Sequence, residues 1–174
     1  LDLLGVNLFN QLTFFAGRSD GSFLDGRILP NVVGPFAGMT LVDFDSDGLL
    51  DLVGASPSSD EVRIAWGNGA DTLFSTVSSF SVGDNPESLT VGDIDADGDQ
   101  DVVTANKNAV SISVLLNEGS GRFQRALPDS SAVADPGRTR PSDVAMGDVI
   151  NDGKQDVAVG NGYSRDVCTR YGCF

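Results

Sequence analysis

Three nine-residue segments repeat along the chain: Asp43-Phe-Asp-Ser-Asp-Gly-Leu-Leu-Asp51, Asp93-Ile-Asp-Ala-Asp-Gly-Asp-Gln-Asp101 and Asp148-Val-Ile-Asn-Asp-Gly-Lys-Gln-Asp156. They begin at 43, 93 and 148, which makes the repeat 50 and then 55 residues long. A period of that size means one supersecondary unit copied along the chain, each copy burying its faces against its neighbours. The chain must then fold as a row of similar units around several small cores.

The likeness extends beyond the acidic loops. Each runs into an apolar stretch: Leu52-Val-Gly-Ala, Val102-Val-Thr-Ala and Val157-Ala-Val-Gly. Further on, Val62, Ile64 and Trp66 alternate with Arg63 and Ala65, and Ile112, Val114 and Leu116 alternate likewise. Period-2 alternation is the signature of a strand. A Gly-containing turn and a Phe then close the unit, at Phe74 and Phe123. Short apolar strands are predicted upstream of each loop, at 39–42, 88–91 and 144–146. Pro35, Pro86 and Pro141 precede the loops by seven or eight residues, and proline suits the beginning of a strand. Asp2-Leu-Leu-Gly matches Asp51-Leu-Val-Gly, so residues 1–30 read as the back half of the same unit. Val167, Thr169 and Tyr171 fall at strand positions of a final partial unit.

A unit of about fifty residues with four short strands and no helical period matches a propeller blade. We therefore expect an all-β chain, a β-propeller of four-stranded antiparallel blades, with about three blades present. The expected divisions are 1–30, the C-terminal part of a blade; 31–81, a blade with loop 43–51; 82–137, a blade with loop 93–101; and 138–174, a partial blade with loop 148–156. A β-sandwich also has many short strands, but it does not require the same acidic loop at the same place in each unit.

The loops carry the chemistry. Four carboxylates within nine residues repel one another, by on the order of 1 kcal/mol per pair at 4 Å in water and more when partly buried. A cation relieves that repulsion, and hard carboxylate oxygens suit Ca²⁺, Mg²⁺ or Mn²⁺ better than zinc. Asp at positions 1, 3 and 5 with Gly at 6 lets the backbone curl so that the side chains converge. The expected ligands are Asp43, Asp45, Asp47 and Asp51 in the first loop and Asp93, Asp95, Asp97 and Asp101 in the second, with the position-7 carbonyls of Leu49 and Asp99. In the third loop they are Asp148, Asp152 and Asp156, with the Lys154 carbonyl at position 7. Position 3 is Ile150, which offers no side-chain oxygen, so this site should be the weakest. Six to eight oxygens favour Ca²⁺. The competing reading is a solvated acidic turn, since Asp and Gly form turns readily. Three copies in register argue against it. A helix-flanked calcium loop fails because its twelfth position would be Gly54, Thr104 or Val159 where Glu is needed.

The Asp-x-Asp-x-Asp-Gly-x-x-Asp loops at 43–51 and 93–101, the variant at 148–156, the flanking strands and the Gly-x-Phe turns together resemble the FG-GAP or VCBS repeats, the blades of integrin alpha-chain-type β-propellers. That resemblance implies a propeller usually of seven blades, calcium in the loop between the first two strands, and an extracellular or cell-surface setting. About three blades depart from that pattern and cannot close a ring of ordinary propeller size, so the chain is expected to be part of a longer propeller, with self-association to complete the ring as the alternative.

Composition narrows the function. Asp and Glu number 25 against 11 Lys and Arg, a net charge of −14, which repels nucleic acid and anionic lipid. The longest uncharged stretches, 3–17 and 28–42, are too short to cross a membrane as helices. There is no His, which removes His-based nucleophile pairs and the usual zinc ligands. The expected function is a non-catalytic, calcium-binding recognition or adhesion module for a protein or glycan ligand. A lectin with sugar sites between blades and a propeller-fold polysaccharide lyase are the alternatives. Cys168 and Cys173 form a disulfide only if the chain turns between them, and their pairing is left open. Trp66 is expected in the core and not as a sugar platform.

Overall fold

The computed structural model describes residues 2–70, 72–130, 139–163, 168–169 and 172–173. No helix occurs among the described residues, and the strands form separate antiparallel sheets. The first sheet holds β1 (Leu3–Val6), β2 (Gln11–Phe15) and β3 (Arg27–Val33), in that order. The second is β4 (Gly38–Val42), β5 (Asp51–Ser56), β6 (Glu61–Gly67) and β7 (Phe74–Ser81); the third repeats it with β8 (Pro86–Gly92), β9 (Asp101–Asn106), β10 (Ser111–Asn117) and β11 (Phe123–Ser130). β12 (Thr139–Gly147) and β13 (Asp156–Tyr163) form the fourth. Each complete sheet is a four-strand meander, as expected of a blade.

Register repeats with the sequence. Leu52 faces Leu41 on one side and Ala65 on the other; at the same place in the third sheet Val102 faces Val91 and Leu115. β5 and β9 are buried along their whole length. A strand buried on both faces reads as a continuous apolar run, which explains Leu52-Val-Gly-Ala and Val102-Val-Thr-Ala.

Three cores lie between successive sheets. Leu12 and Leu29 of the first sheet pack with Leu52, Ala65 and Phe74 of the second. Val53, Val62 and Ile64 of the second pack with Val102 and Leu115 of the third. Val103, Ala105 and Ile112 of the third pack with Val144 of the fourth. The alternation Val62, Ile64, Trp66 therefore marks one core face of β6, while Ala65 serves the core on the opposite face. Trp66, expected in the core, is half-buried and packs against it, and its indole N–H donates to Ser78 Oγ at 2.9 Å. The Phe36 ring lies against Gly54 where a Cβ would stand, so a side chain there would expel it. Phe44 and Phe123 meet edge to face at 5.1 Å, linking two sheets.

The structure moves two boundaries. The expected division at 30/31 falls inside β3, which belongs to the first sheet as far as Val33. Pro141 lies within β12 and not before it; the pairing of β12 with β13 shifts register between Pro141 and Asp143, where a missing N–H is tolerated. At the C-terminus β14 (Cys168–Thr169) pairs with β15 (Gly172–Cys173) so that Cys168 stands opposite Cys173. Their side chains, like Val167 and Tyr171, lie outside the described residues.

Candidate metal centre

All three acidic loops adopt one conformation, and short-range hydrogen bonds explain it. In the first, Asp43 Oδ1 accepts from Asp47 N at 3.2 Å and its Oδ2 from Gly48 N at 3.0 Å. Asp47 Oδ1 in turn accepts from Leu49 N at 2.8 Å. The second loop repeats these bonds from Asp97 N and Gly98 N to Asp93 and from Asp99 N to Asp97. The third repeats them from Asp152 N and Gly153 N to Asp148 and from Lys154 N to Asp152. The backbone is left-handed at position 4, at Ser46, Ala96 and Asn151, and again at position 6, at Gly48, Gly98 and Gly153. Glycine tolerates this conformation without penalty, and Asn better than Ser or Ala.

The curl gathers carboxylates. Ligand oxygens of Asp43, Asp45 and Asp47 lie within 4.8 Å of one another in the first loop, as do those of Asp93, Asp95 and Asp101 in the second. Oxygens so close suit a hard cation at 2.3–2.6 Å from each. In the first loop Asp51 lies outside this group, and in the second Asp97 does. The Asp148, Asp152 and Asp156 side chains form no such group, and Ile150 is exposed. The described ion pairs, Arg63–Glu61 and Lys107–Glu87, lie away from these loops.

The Asp at position 9 has a structural role that its place in the motif does not announce. Asp51, expected as a ligand on a par with the others, is 1% exposed and bound to backbone through both oxygens. Oδ2 accepts from Phe44 N at 2.9 Å, and Oδ1 accepts from Gly67 N at 2.8 Å, at the end of β6. Asp101 repeats this with Ile94 N and Asn117 N, both at 2.8 Å. Asp156 Oδ2 accepts from Val149 N at 2.9 Å. In the first two loops one carboxylate thus ties the loop to the third strand of its own sheet. Burial pushes the Asp51 and Asp101 carboxyls above their ordinary pKa; the backbone donors oppose that shift, and the neighbouring aspartates add to it. The sequence carried one signal: Asp51 to Gly67 and Asp101 to Asn117 are both separated by 16 residues.

The second and third sheets are also joined at this level. Asn117 Nδ2 donates to the Phe44 carbonyl at 2.9 Å, so the end of β10 supports the second residue of the preceding loop. Asn117 Oδ1 is buried without a hydrogen-bond partner among the described residues.

The FG-GAP-like repeat model matches the chain twice, at residues 43–104 and 93–159. The chain belongs to the FG-GAP-like repeat family. Each match spans an acidic loop, the three strands that follow it in its own sheet, and the first strand and acidic loop of the next sheet, which is the repeat read from the sequence. No curated protein matches the chain.

Proposed function

We propose that this FG-GAP-like repeat chain is a calcium-stabilised recognition module. Its sheets are blades of a β-propeller, Ca²⁺ occupies the loops at 43–51 and 93–101, and the module works outside the cell. It binds a protein or glycan ligand through its loops and performs no catalysis. The observation that carries this reading is the convergence of Asp43, Asp45 and Asp47, and of Asp93, Asp95 and Asp101, without a described cationic partner. All-oxygen donor sets of this kind fit Ca²⁺, whose flexible shell accepts carboxylates, carbonyls and water. In the second loop Asp101 would hold the metal and β10 together, coupling occupancy to sheet stability. An extracellular setting agrees with the metal, because extracellular modules bind calcium with Kd of roughly 10⁻⁴–10⁻³ M, near its concentration there.

Calorimetric titration of CaCl₂ into chelator-stripped protein tests the metal. Two sites of that affinity are expected, and MgCl₂ should bind more weakly. Absence of saturable heat would overturn the reading. Glycan-array and protein-binding screens of the calcium-loaded chain then decide the ligand class.

A further inference from the structure

The acidic loops of the second and third sheets are connected through two residues. Ligand oxygens of Asp43, Asp45 and Asp47 converge in one loop, and those of Asp93, Asp95 and Asp101 in the other. Phe44 stands in the chain between Asp43 and Asp45. Asn117 ends β10, and its N–H donates to Asp101 Oδ1 at 2.8 Å. Its side-chain amide donates to the Phe44 carbonyl at 2.9 Å. Both residues are 1% exposed, so the path from Asp101 to the residues flanking Phe44 runs through the interior.

A second contact follows the same route. Phe123 stands directly opposite Asn117 in the pairing of β10 with β11, and its ring meets that of Phe44 edge to face at 5.1 Å. Phe44 is thus held by both members of one cross-strand pair, through its carbonyl and through its ring. Asn117 Oδ1 accepts no hydrogen bond among the described residues, so the bond to Phe44 is what orients the amide. Gly67 occupies the place of Asn117 in the second sheet; it gives its N–H to Asp51 but has no side chain to reach the sheet before it. The link is therefore not a property of every repeat.

We propose that Asn117 is a positioning residue that couples the two loops, so that Ca²⁺ bound at 93–101 orders the loop at 43–51 and raises its affinity for a second ion. The proposal rests on the reading that both loops take Ca²⁺. Without metal the gathered carboxylates repel one another and favour a spread loop. Spreading of the second loop moves Asp101, and with it the N–H of Asn117; spreading of the first moves Phe44 off the Asn117–Phe123 pair. The two states are therefore Phe44 docked on that pair, with Asp43 and Asp45 gathered, and Phe44 released. An ion in either loop favours the docked state, and the second ion meets a loop already ordered. Coupling of this kind is reciprocal, and about tenfold in affinity is expected.

Hydrogen exchange of the full 174-residue chain, in CaCl₂ against chelator, tests it. Asp45→Ala disables the first loop and leaves the second to bind. Calcium should then slow exchange at 94–99 and, through Asn117, at 44–49. Asn117→Gly keeps the N–H for Asp101, as Gly67 does for Asp51, and in the Asp45→Ala chain it should abolish the slowing at 44–49 while keeping it at 94–99. Calorimetry gives the affinity: Asp95→Ala should weaken the first loop about tenfold in the parent chain and leave it unchanged in Asn117→Gly. Slowing at 94–99 with none at 44–49 in Asp45→Ala would overturn the coupling and leave the calcium reading standing, whether or not Asn117→Gly folds. Slowing at 44–49 that survives Asn117→Gly, or that persists in Asp45→Ala with Asp95→Ala, would overturn the coupling as well. No slowing at either loop would overturn both.

Discussion

The side-chain amide of Asn117 donates to the main-chain carbonyl of Phe44 at 2.9 Å, joining residues 73 apart in the chain. Phe44 N is itself held by Asp51, and Asn117 N by Asp101. The second residue of the first acidic loop is therefore fixed by its own sheet through its N–H and by the next sheet through its carbonyl. The geometry of the acidic loop and the packing between sheets are one structure at this point.

Asn117→Asp replaces the donor by a second carboxylate beside Asp101, in a position only 1% exposed. An unsatisfied carbonyl and an unpaired buried charge should cost on the order of 3 kcal/mol. Urea unfolding measures it. A change under about 0.5 kcal/mol would mean that Asn117 does not join the sheets.

Position 9 should separate from positions 1, 3 and 5 when metal is removed. In chelator, Asp51→Asn places a donor against Phe44 N or Gly67 N and should cost about 2 kcal/mol. Asp45→Ala in chelator should change stability by less than about 0.5 kcal/mol, because it removes a repulsive charge and one long 3.3 Å bond. With calcium present both should be destabilising. Equal effects of the two variants in chelator would contradict the structural role of Asp51.

The third loop should bind most weakly. It has the backbone curl of the other two but gathers no group of three ligand oxygens. Asp45→Ala and Asp95→Ala should each abolish one site in a calcium titration. Ile150→Asp restores the missing acidic position where the native side chain is exposed, so no core packing is lost. It should tighten the weakest site about tenfold, since affinity in such loops follows ligand charge. If every binding constant is unchanged, the ranking fails.

The slope of stability against pH should change sign with calcium. Burial raises the folded-state carboxyls of Asp51 and Asp101 above the ordinary 3.8, so between that value and the raised ones the folded state binds more protons than the unfolded. Stability of the chelated protein should then fall as pH rises through that window, and rise as pH is lowered into it. Relief of self-repulsion at a net charge of −14 acts in the same direction. With saturating calcium, protons compete with the metal and acid should destabilise. Thermal melts from pH 4 to pH 7 in both states read the two slopes; slopes of the same sign would contradict the argument.

Strand order within the repeat was legible because three loops at intervals of 50 and 55 residues fix the unit, and alternation such as Val62, Ile64, Trp66 fixes the third strand. The curl of the acidic loops was legible too, because Asp and Gly act there through bonds between near neighbours. Two kinds of feature were not. β3 extends to Val33 across the expected division, since nothing local marks where one sheet stops donating to another. The position-9 carboxylates make bonds across 16 residues, and Asn117 makes one across 73. Such partners are set by packing, so an acidic motif shows what they are and not whom they hold.

Thermal melting of the chain in chelator against saturating calcium tests the metal-stabilised repeat most directly. Each site filled to a hundred times its Kd adds about 2.7 kcal/mol, so two sites add about 5 kcal/mol. For a chain of 174 residues that is a rise in Tm of roughly 10–20 °C. Magnesium at the same concentration should give less, and Asp45→Ala with Asp95→Ala together should remove most of the rise. A Tm that is the same in chelator and in calcium would contradict the claim that these loops hold the metal and that the metal holds the sheets.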